Sequence, residues 1–566
     1  MKKIISVFLS AVILICAVSV GLSVFAAGDE LNFAVASDLH YNIPREVLEG
    51  DIDDEIYWYA NRRAAMEDES GFIIDEMLRQ VAEDDNCEFL LISGDLVDNG
   101  RAIAQEHYDV AAKFKKFEEE SGKSVYVIPG NHDFGAGEND FKINDFVTTY
   151  ADFGYDKALE KIEGTGTYTA NLGNKYRLIA FDSNDPNRST GDGVSKDEIN
   201  WICDQADKAA ADGRYPILMM HHNLLDHMPL QTIFSKDFII GNHLSVAEKF
   251  ANHGIKLVFT GHEHCSDVSS YTSTKGNKIY DFATTSLTMY PLQYRTLSLT
   301  EEKISYGIKT IDKIDTEALT ATVSGFTAEH INLMNAGLNE YAKGFLKAGV
   351  QYRLWLGMTP EKLGIDEDAF YADLVFTAIN GLTSILEMPL YGEGGVQELA
   401  KGYNIEIPDS EYETGWDLAT DLVASHYEGE EAYDFYGTEV AILLRTVGLI
   451  LLDDLSTVGD EIFLKAANSL LSHFGTESIQ KDLTKLGTKV FGPFTAGEYF
   501  LLAIASPILY EFAYDSDGVN DNTGEFEGYG AEVDTFANVT ANVSDIFEKI
   551  VLYFKLFISV ITKIFA

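Results

Sequence analysis

The feature that most constrains this chain is a pattern that occurs five times in its first half, a short apolar segment followed within three residues by aspartate, asparagine or histidine. The segments alternate with stretches of helical character, such as 72–82 and 107–120, which predicts a layered α/β domain with buried strands. The loops at strand ends are where chemistry is expected in such domains. The five groups are Ser37-Asp38-Leu39-His40, Ser93-Gly94-Asp95, Pro129-Gly130-Asn131-His132-Asp133, His221-His222 and Thr260-Gly261-His262-Glu263-His264.

The side chains of these five groups are suited to binding metal ions. Six of the 13 histidines in the chain fall within them. Carboxylate, imidazole and amide oxygen form a mixed nitrogen and oxygen donor set that favours Mn, Fe or Zn over a thiolate site. Two cations held close together need a shared ligand, and a carboxylate can bridge them, so Asp95 is the central candidate.

The ordered motifs SDLH, GD, GNHD, HH and GHEH resemble the signature of the calcineurin-like metallophosphoesterase superfamily over roughly residues 31–300. The resemblance implies a four-layer α/β/β/α sandwich with a dinuclear metal site. It implies that one metal is bound by Asp38, His40, Asp95 and His264, and the second by Asp95, Asn131, His221 and His262. It also implies that His132 stabilises the transition state, and we place Asp133 beside it as the second catalytic residue.

Three positions depart from the family pattern or extend it. Asn223 follows the paired histidines where family members often have proline, so a different loop is expected there. Alignment with the family favours His221 over His222 as the ligand. Asp98 stands where purple acid phosphatases have a tyrosine ligand, which disfavours that subtype. Four residues are candidates for lining the substrate site: Asp98, Asn99, Asn184 and His222. The alternative for each is a polar residue in a turn or core without a role in substrate binding.

These residues predict a secreted dinuclear-metal phosphoesterase that hydrolyses phosphate monoesters or diesters. Two adjacent cations lower the pKa of a bridging water, and the hydroxide formed attacks phosphorus while the cations neutralise the growing charge. The alternative is a cell-surface binding or adhesion protein that uses the metal domain as a scaffold. The sequence leaves open the natural substrate, the preference for monoesters or diesters, the metal identity and the oligomeric state.

The N-terminus predicts export from the cell. Met1-Lys2-Lys3 is followed by an apolar stretch that ends at Val24-Phe25-Ala26, which is typical of a signal peptide over 1–26; the alternative is an uncleaved anchor helix. The formal net charge of −48 disfavours binding to nucleic acid. Three cysteines remain after cleavage, which is not a disulfide scaffold, although one bridge would be compatible with the sequence.

The second half of the chain has a different texture. The phosphoesterase domain is predicted over 31–312 and a mainly helical domain of unknown role over 315–540, with helices that include 331–345, 416–426, 437–455, 458–473 and 495–513. The acidic stretch 515–527 is predicted to be a solvated loop. The last segment, 544–566, is predicted to be an amphipathic helix that either lies in a membrane interface or packs against its own domain or a partner.

Overall fold

A computed structural model of the chain describes residues 30–44, 65–184, 194–228, 231–357, 384–402, 405–407, 412–429, 431, 489–491, 494–495 and 519–530. The described strands are β1 Leu31–Ala36, β2 Phe89–Ile92, β3 Ser124–Val127, β4 Glu160–Lys161, β5 Tyr168–Leu172, β6 Tyr176–Phe181, β7 Tyr215–Met220, β8 Leu257–Thr260, β9 Asp267–Thr272, β10 Lys278–Ala283, β11 Gln293–Leu299, β12 Lys303–Thr310, β13 Lys489–Phe491, β14 Phe494–Thr495 and β15 Gly524–Glu527.

The α-helices lie between and after these strands. They are α1 Ser70–Glu83, α2 Ala104–Ser121, α3 Ile143–Thr149, α4 Lys196–Ala211, α5 Gln231–Phe234, α6 His243–Asn252, α7 Thr316–Thr322, α8 Ala328–Ala336, α9 Leu338–Gly357, α10 Val396–Gly402 and α11 Gly415–Glu428. The helices predicted over 72–82 and 107–120 are confirmed as α1 and α2.

Two β-sheets form the centre of the first half. The first sheet has six strands in the order β15-β12-β11-β1-β2-β3, and the second has seven in the order β4-β5-β6-β7-β8-β10-β9. Strands β1, β2 and β3 pair in parallel, as do β6, β7 and β8. Because parallel strands end at the same edge, the loops after β1, β2 and β3 lie side by side, and so do the loops after β7 and β8.

Alternating side chains on the strands show which layers pack together. Ile217 and Met219 of β7 belong to the core shared with the first sheet, whereas Leu218 and Met220 belong to a second core with residues of α4 and α6. Helices α1 and α2 pack on the other side of the first sheet and contribute to its core. A strand buried on both faces needs apolar side chains at every position, which explains its continuous apolar run. The order helix, sheet, sheet, helix confirms the predicted four-layer α/β/β/α sandwich.

The three cysteines of the described residues are free and buried, so the one bridge that the sequence allowed is not formed among them: Cys87, Cys203 and Cys265. Burial raises the pKa of Cys87 and of Cys203 to about 11, which keeps these thiols protonated and unreactive at neutral pH.

The described part of the second half is mainly helical. The apolar face predicted over 331–345 is divided between α8 and α9, which meet at Gly337, and its residues Met334, Leu338 and Phe345 are buried. The helix predicted over 416–426 is α11. The predicted helices 437–455, 458–473, 495–513 and 544–566, and the signal peptide 1–26, lie outside or almost wholly outside the described residues. Within the described part of the chain, none of the helices has the length and apolar character needed to cross a membrane.

A segment near the end of the chain returns to the first sheet. Strand β15 pairs antiparallel with β12 and forms the edge of that sheet. Phe526 stacks on Tyr280 with ring centroids 3.9 Å apart, and Asp521 is buried, where its carboxylate accepts a hydrogen bond from the Val268 N–H. The described part of 515–527 therefore includes the edge strand of the first sheet, and the prediction of a solvated loop is wrong there.

Candidate metal centre

The loops that follow the five apolar segments are joined to one another by backbone hydrogen bonds. The Asp38 N–H donates to the Gly94 carbonyl at 3.0 Å and the His40 N–H to the Asp95 carbonyl at 3.1 Å. On the second sheet, the Gly261 N–H donates to the His221 carbonyl at 3.0 Å. The His262 N–H donates to Asp38 Oδ2 at 3.0 Å and so connects the loops of the two sheets.

Five of the seven predicted metal ligands have a left-handed backbone conformation, with φ between 40° and 68°: Asp38, His40, Asp95, His262 and His264. Only two other non-glycine residues in the described part of the chain have a positive φ, Asn242 and Leu292. A non-glycine residue in this conformation costs on the order of 1–3 kcal/mol. Strain concentrated on one set of residues indicates that function, and not local preference, sets the backbone there.

Two glycines allow the loops to approach closely. A Cβ on Gly130 would collide with the Asp95 carboxylate and backbone, and a Cβ on Gly261 would collide with Ser37 Oγ and the Asp38 carboxylate. Both glycines lie against residues of a different loop, so a larger side chain at either position would push the carboxylates out of place.

The first group of potential ligands is formed by Asp38, His40 and His264, whose ligand atoms all lie within 4.8 Å of one another. The Nε2 atoms of His40 and His264 are 3.2 Å apart, and Asp38 Oδ1 is 3.2 Å from His264 Nε2. Among the described residues Asp38 Oδ1 makes no hydrogen bond of acceptable geometry, although it is buried. A cation held between these atoms would satisfy all three.

The second group is formed by Asp95, His221 and His262, again with ligand atoms within 4.8 Å of one another. His221 Nε2 lies 3.0 Å from Asn131 Oδ1 and 3.4 Å from Asp95 Oδ2. Its other ring nitrogen, Nδ1, donates to the Ser93 carbonyl at 2.9 Å. That bond fixes the tautomer and leaves the Nε2 lone pair directed at the group, as in most protein metal sites.

The carboxylate of Asp95 lies between the two groups. Its Oδ2 is 3.8 Å from His40 Nε2 and 3.4 Å from His221 Nε2, while Oδ1 accepts the His132 N–H at 2.7 Å. Burial alone would raise the pKa of Asp95, but the imidazoles of His221 and His132 hold it well below its usual range. Asp95 belongs to the second group and also forms a group with His40 and His132, which overlaps the first group through His40. The geometry therefore gives Asp95 the position of a ligand shared by the two groups, and the nitrogen and oxygen donor set fits metal cations.

His132 lies at the mouth of the site, and its side chain is 26% exposed. Its Nδ1 is 2.8 Å from the Asp98 carbonyl oxygen, which can only accept, so Nδ1 carries the proton of that bond. The Asp98 carboxylate is 3.2 Å from His40 Nδ1. Asp98 therefore orients two histidines of the site, one through its backbone and one through its side chain.

Asp133, which we placed beside His132 as a catalytic residue, lies beneath the site. Its Oδ1 accepts the N–H groups of Leu96 and Val97 at 3.0 and 3.2 Å, and its Oδ2 accepts the Gly130 N–H at 2.7 Å. The residue is fully buried. These contacts connect the loop after β2 to the loop after β3, and the described hydrogen bonds of Asp133 do not include the His132 ring.

The four candidates for lining the substrate site occupy different places. Asp98 lines the cavity beside the metal ligands. Asn99 bonds to Glu106 through its backbone N–H, Asn184 donates to the Pro129 carbonyl, and neither lines that cavity. His222 is buried behind the site, with Nδ1 2.8 Å from Ser183 Oγ, and burial lowers its pKa to about 3. His221, and not His222, has a ring nitrogen within the second group.

The cavity has a volume of about 240 Å³. It lies beside four of the histidines, and five of its lining residues were not predicted: Ala65, Phe238, Glu263, Met289 and Tyr427. Phe238 and Tyr427 stand in segments without a motif, so the sequence offered no signal for them. Glu263 lies between His262 and His264 in the sequence, so its position in that motif already indicated that it is close to the site.

Asn223 explains why the loop after the paired histidines differs from the family pattern. Its N–H donates to the Phe238 carbonyl at 3.0 Å, and its own carbonyl accepts the Ile240 N–H at 3.1 Å. The side-chain amide donates to the Gly261 carbonyl at 3.1 Å. Proline has no N–H and could not make the first of these bonds. Asn223 therefore joins the loop that carries Phe238 to the loop that carries His262.

Comparison with known proteins agrees with this geometry. Residues 31–266 match the model of the family described as Calcineurin-like phosphoesterase, a range that contains all five groups. The chain therefore carries a calcineurin-like phosphoesterase domain, and the resemblance found in the motifs is confirmed. This domain is that of a metal-dependent phosphoester hydrolase. A search of curated proteins finds no match.

Several solved structures are similar to the catalytic half at low identity. A dimetal phosphatase from Danio rerio is 12% identical, with 50% of this chain and 96% of that chain covered and a TM-score of 0.36. A purple acid phosphatase from yellow lupin seeds is 10% identical, with 50% of this chain covered and a TM-score of 0.34; this chain spans 52% of that protein's length. Phosphopantetheinyl hydrolase from Mycobacterium tuberculosis is 14% identical, with 46% and 91% covered and a TM-score of 0.25. At these values the structures carry no inference about substrate.

Proposed function

We propose that this protein is a secreted dinuclear-metal phosphoesterase that hydrolyses phosphate monoesters or diesters. The observation that carries the proposal is the arrangement of Asp95 between two groups of ligand atoms, each group within 4.8 Å. A single structural metal would need only one such group. A shared carboxylate between two groups is what a two-metal hydrolytic site requires.

Metal ions held by the residues of the two groups would supply activation of a water molecule and neutralisation of charge on the phosphoryl oxygens. The residues of the chain hold the reactants in place. His132, with Nδ1 bonded to the Asp98 carbonyl, presents Nε2 as the ring nitrogen that can transfer a proton. For this step His132 carries a second proton, at Nε2. As the water oxygen bonds to phosphorus and the ester P–O bond breaks, the Nε2 proton passes to the leaving oxygen to give the alcohol, while the attacking water loses one proton to solvent and its oxygen stays on the phosphate product.

Export is supported by the sequence of residues 1–26 alone, with its basic start, apolar stretch and Val24-Phe25-Ala26. Expression with the native N-terminus should give a protein outside the cytoplasm that begins at Ala27 or Gly28. Mass spectrometry of the exported protein measures this directly. A protein that keeps Met1 and remains in the membrane fraction would show that the segment is an anchor.

The catalytic proposal is tested with bis(p-nitrophenyl) phosphate and p-nitrophenyl phosphate in the presence of Mn²⁺. We expect turnover of at least one ester by the wild type and none by Asp95→Asn or His262→Ala. His253→Ala is the matched control. His253 directly follows the last residue of α6, is partly exposed, and pairs with Asp207. Loss of activity in the control, or full activity in both site variants, would contradict the proposal.

The role of His132 has its own test. Nitrophenolate leaves readily without a proton, whereas an alkoxide does not, so His132→Ala should slow alkyl esters by about 10²–10⁴-fold. The same variant should affect p-nitrophenyl esters much less. Equal losses on both kinds of ester would mean that His132 does not protonate the leaving group.

A further inference from the structure

Building on the proposed function, we propose that the cavity selects esters with a single phosphate and an apolar or aromatic organic group, and that Tyr427 of the helical half is a specificity-determining residue. The organic group would pack against a wall formed by Phe238, Met289 and Tyr427, which we call the apolar wall. The three residues come from three distant parts of the chain and line the same cavity as four of the site histidines.

The apolar wall is in contact with the metal ligands themselves. The ring of Phe238 lies over His262 with centroids 4.2 Å apart, and Met289 Sδ is 3.2 Å from His264 Nδ1. A phosphate held at the metal groups therefore has its organic substituent next to these side chains. An apolar substituent gains by leaving water for such a surface.

The charge of the cavity disfavours a second phosphate. Among the residues that the structure describes, those that line the cavity include the carboxylates of Asp98 and Glu263 and no lysine or arginine. The chain as a whole has a formal net charge of −48. Metal ions at the two groups would neutralise one phosphate, but a further phosphate inside the cavity would meet the carboxylates that line it.

Tyr427 reaches the cavity because the end of α11 is attached to the catalytic half. The Tyr427 carbonyl accepts the Ser266 N–H at 3.1 Å, two residues after the ligand His264. The next residue, Glu428, accepts the Tyr290 hydroxyl at 2.6 Å. Gly429 then packs so closely on Ser266 and Asp521 that a Cβ there would collide with the Ser266 carbonyl. These contacts give the helical half a place in the active site.

Benzyl and ethyl esters of phosphate, as monoesters and diesters, test the preference, because their alcohols have similar acidity and differ in apolar surface. We expect wild-type kcat/KM to favour benzyl over ethyl by about tenfold or more, the scale of a good aromatic contact. Tyr427→Ala should raise KM for the benzyl ester by about tenfold and change the ethyl ester by less than about twofold. Tyr427→Phe should keep the preference.

Phe238→Ala provides an independent test, because Phe238 belongs to the catalytic half and should show the same loss of benzyl preference without any change at α11. Tyr108→Ala is the control, since Tyr108 is an exposed tyrosine on α2. A further comparison of adenosine 5′-monophosphate with adenosine 3′,5′-bisphosphate, in which both phosphates are monoesters, should favour the monophosphate.

The inference is overturned if Tyr427→Ala and Phe238→Ala slow both esters equally, if the wild type shows no benzyl preference, or if the bisphosphate is the better substrate. Any of these results would leave the proposed function in place, because turnover of an ester would still be seen. Absence of turnover on every ester by the metal-loaded protein would overturn the proposed function and this inference together.

Discussion

Replacing Asp133 by asparagine distinguishes a catalytic role of this residue from a structural one, which the sequence alone does not do. In the structure its carboxylate accepts three backbone N–H groups, from Leu96, Val97 and Gly130, at 3.0, 3.2 and 2.7 Å. The amide oxygen of Asp133→Asn can keep the bonds to Leu96 and Val97. Its NH₂ group then faces the Gly130 N–H, which loses its acceptor in a fully buried place.

The expected cost follows from these bonds. Burial and the nearby Asp95 carboxylate raise the pKa of Asp133 well above its usual range, so we count a lost bond at the ordinary value of about 0.5–1.5 kcal/mol, and a buried donor without an acceptor costs about 1–3 kcal/mol. Since the two terms overlap, we expect Asp133→Asn to lower the free energy of unfolding by about 1–3 kcal/mol. Because the reacting groups are untouched, kcat should fall by less than about tenfold.

Urea unfolding followed by circular dichroism, together with steady-state kinetics on a p-nitrophenyl ester, measures both quantities. Asp98→Asn is the contrasting variant, because its carboxylate contacts His40 Nδ1; loss of such a supporting contact typically costs about 10–100-fold in activity or metal affinity. If Asp133→Asn unfolds like the wild type but loses more than about 100-fold in kcat, Asp133 acts in the reaction and does not merely support the two loops.

Three further predictions concern the surroundings of the site. Asn223→Pro removes the N–H donor to the Phe238 carbonyl and should lower the free energy of unfolding by about 1–3 kcal/mol, as measured by urea unfolding; a variant as stable as the wild type would contradict this. His227 is buried, yet its contacts with Asp281 and Asp267 raise its pKa from 6.5 to about 10. Its contribution to stability is therefore full below pH 6.5 and disappears as the pH rises through about 10, so the stability difference between wild type and His227→Gln should shrink over that range. A difference that grows with pH would refute the assignment. Chelation of the metals should lower the thermal unfolding midpoint, because the buried carboxylates lose their counter-charges; an unchanged midpoint would mean that the folded chain holds no metal.

The positions of the ligands were predictable because they depend on strand order and direction. Asp38, Asp95 and Asn131 follow three strands that pair in parallel, so their convergence follows from the topology of a parallel sheet. The choice of His221 over His222 came from the family pattern, and in the structure His221 is the one of the two that lies within the second group. Neighbouring residues at a strand end point in opposite directions, and only His221 faces the first sheet, where it meets Asp95.

The hydrogen bonds of Asp133 to Leu96, Val97 and Gly130 were not predictable from its position next to His132. The turn after Gly130 directs the two side chains to opposite sides. His132 lines the cavity, and Asp133 contacts the backbone below it. Phe238 and Tyr427 were missed because nothing in their local sequence marks them, and because their places depend on contacts made across the fold. The same holds for β15, whose pairing with β12 joins residues more than two hundred positions apart.

The measurement that tests the central claim most directly is the metal content of the purified protein after loading with Mn²⁺, Fe²⁺ or Zn²⁺, determined by inductively coupled plasma mass spectrometry. Since Asp95 lies between the two groups of ligand atoms, we predict about two metal ions per wild-type chain for at least one of these metals. Asp95→Asn should retain fewer than the wild type under the same conditions. A wild-type chain that binds no metal, or one whose metal content is unchanged by Asp95→Asn, would contradict the account.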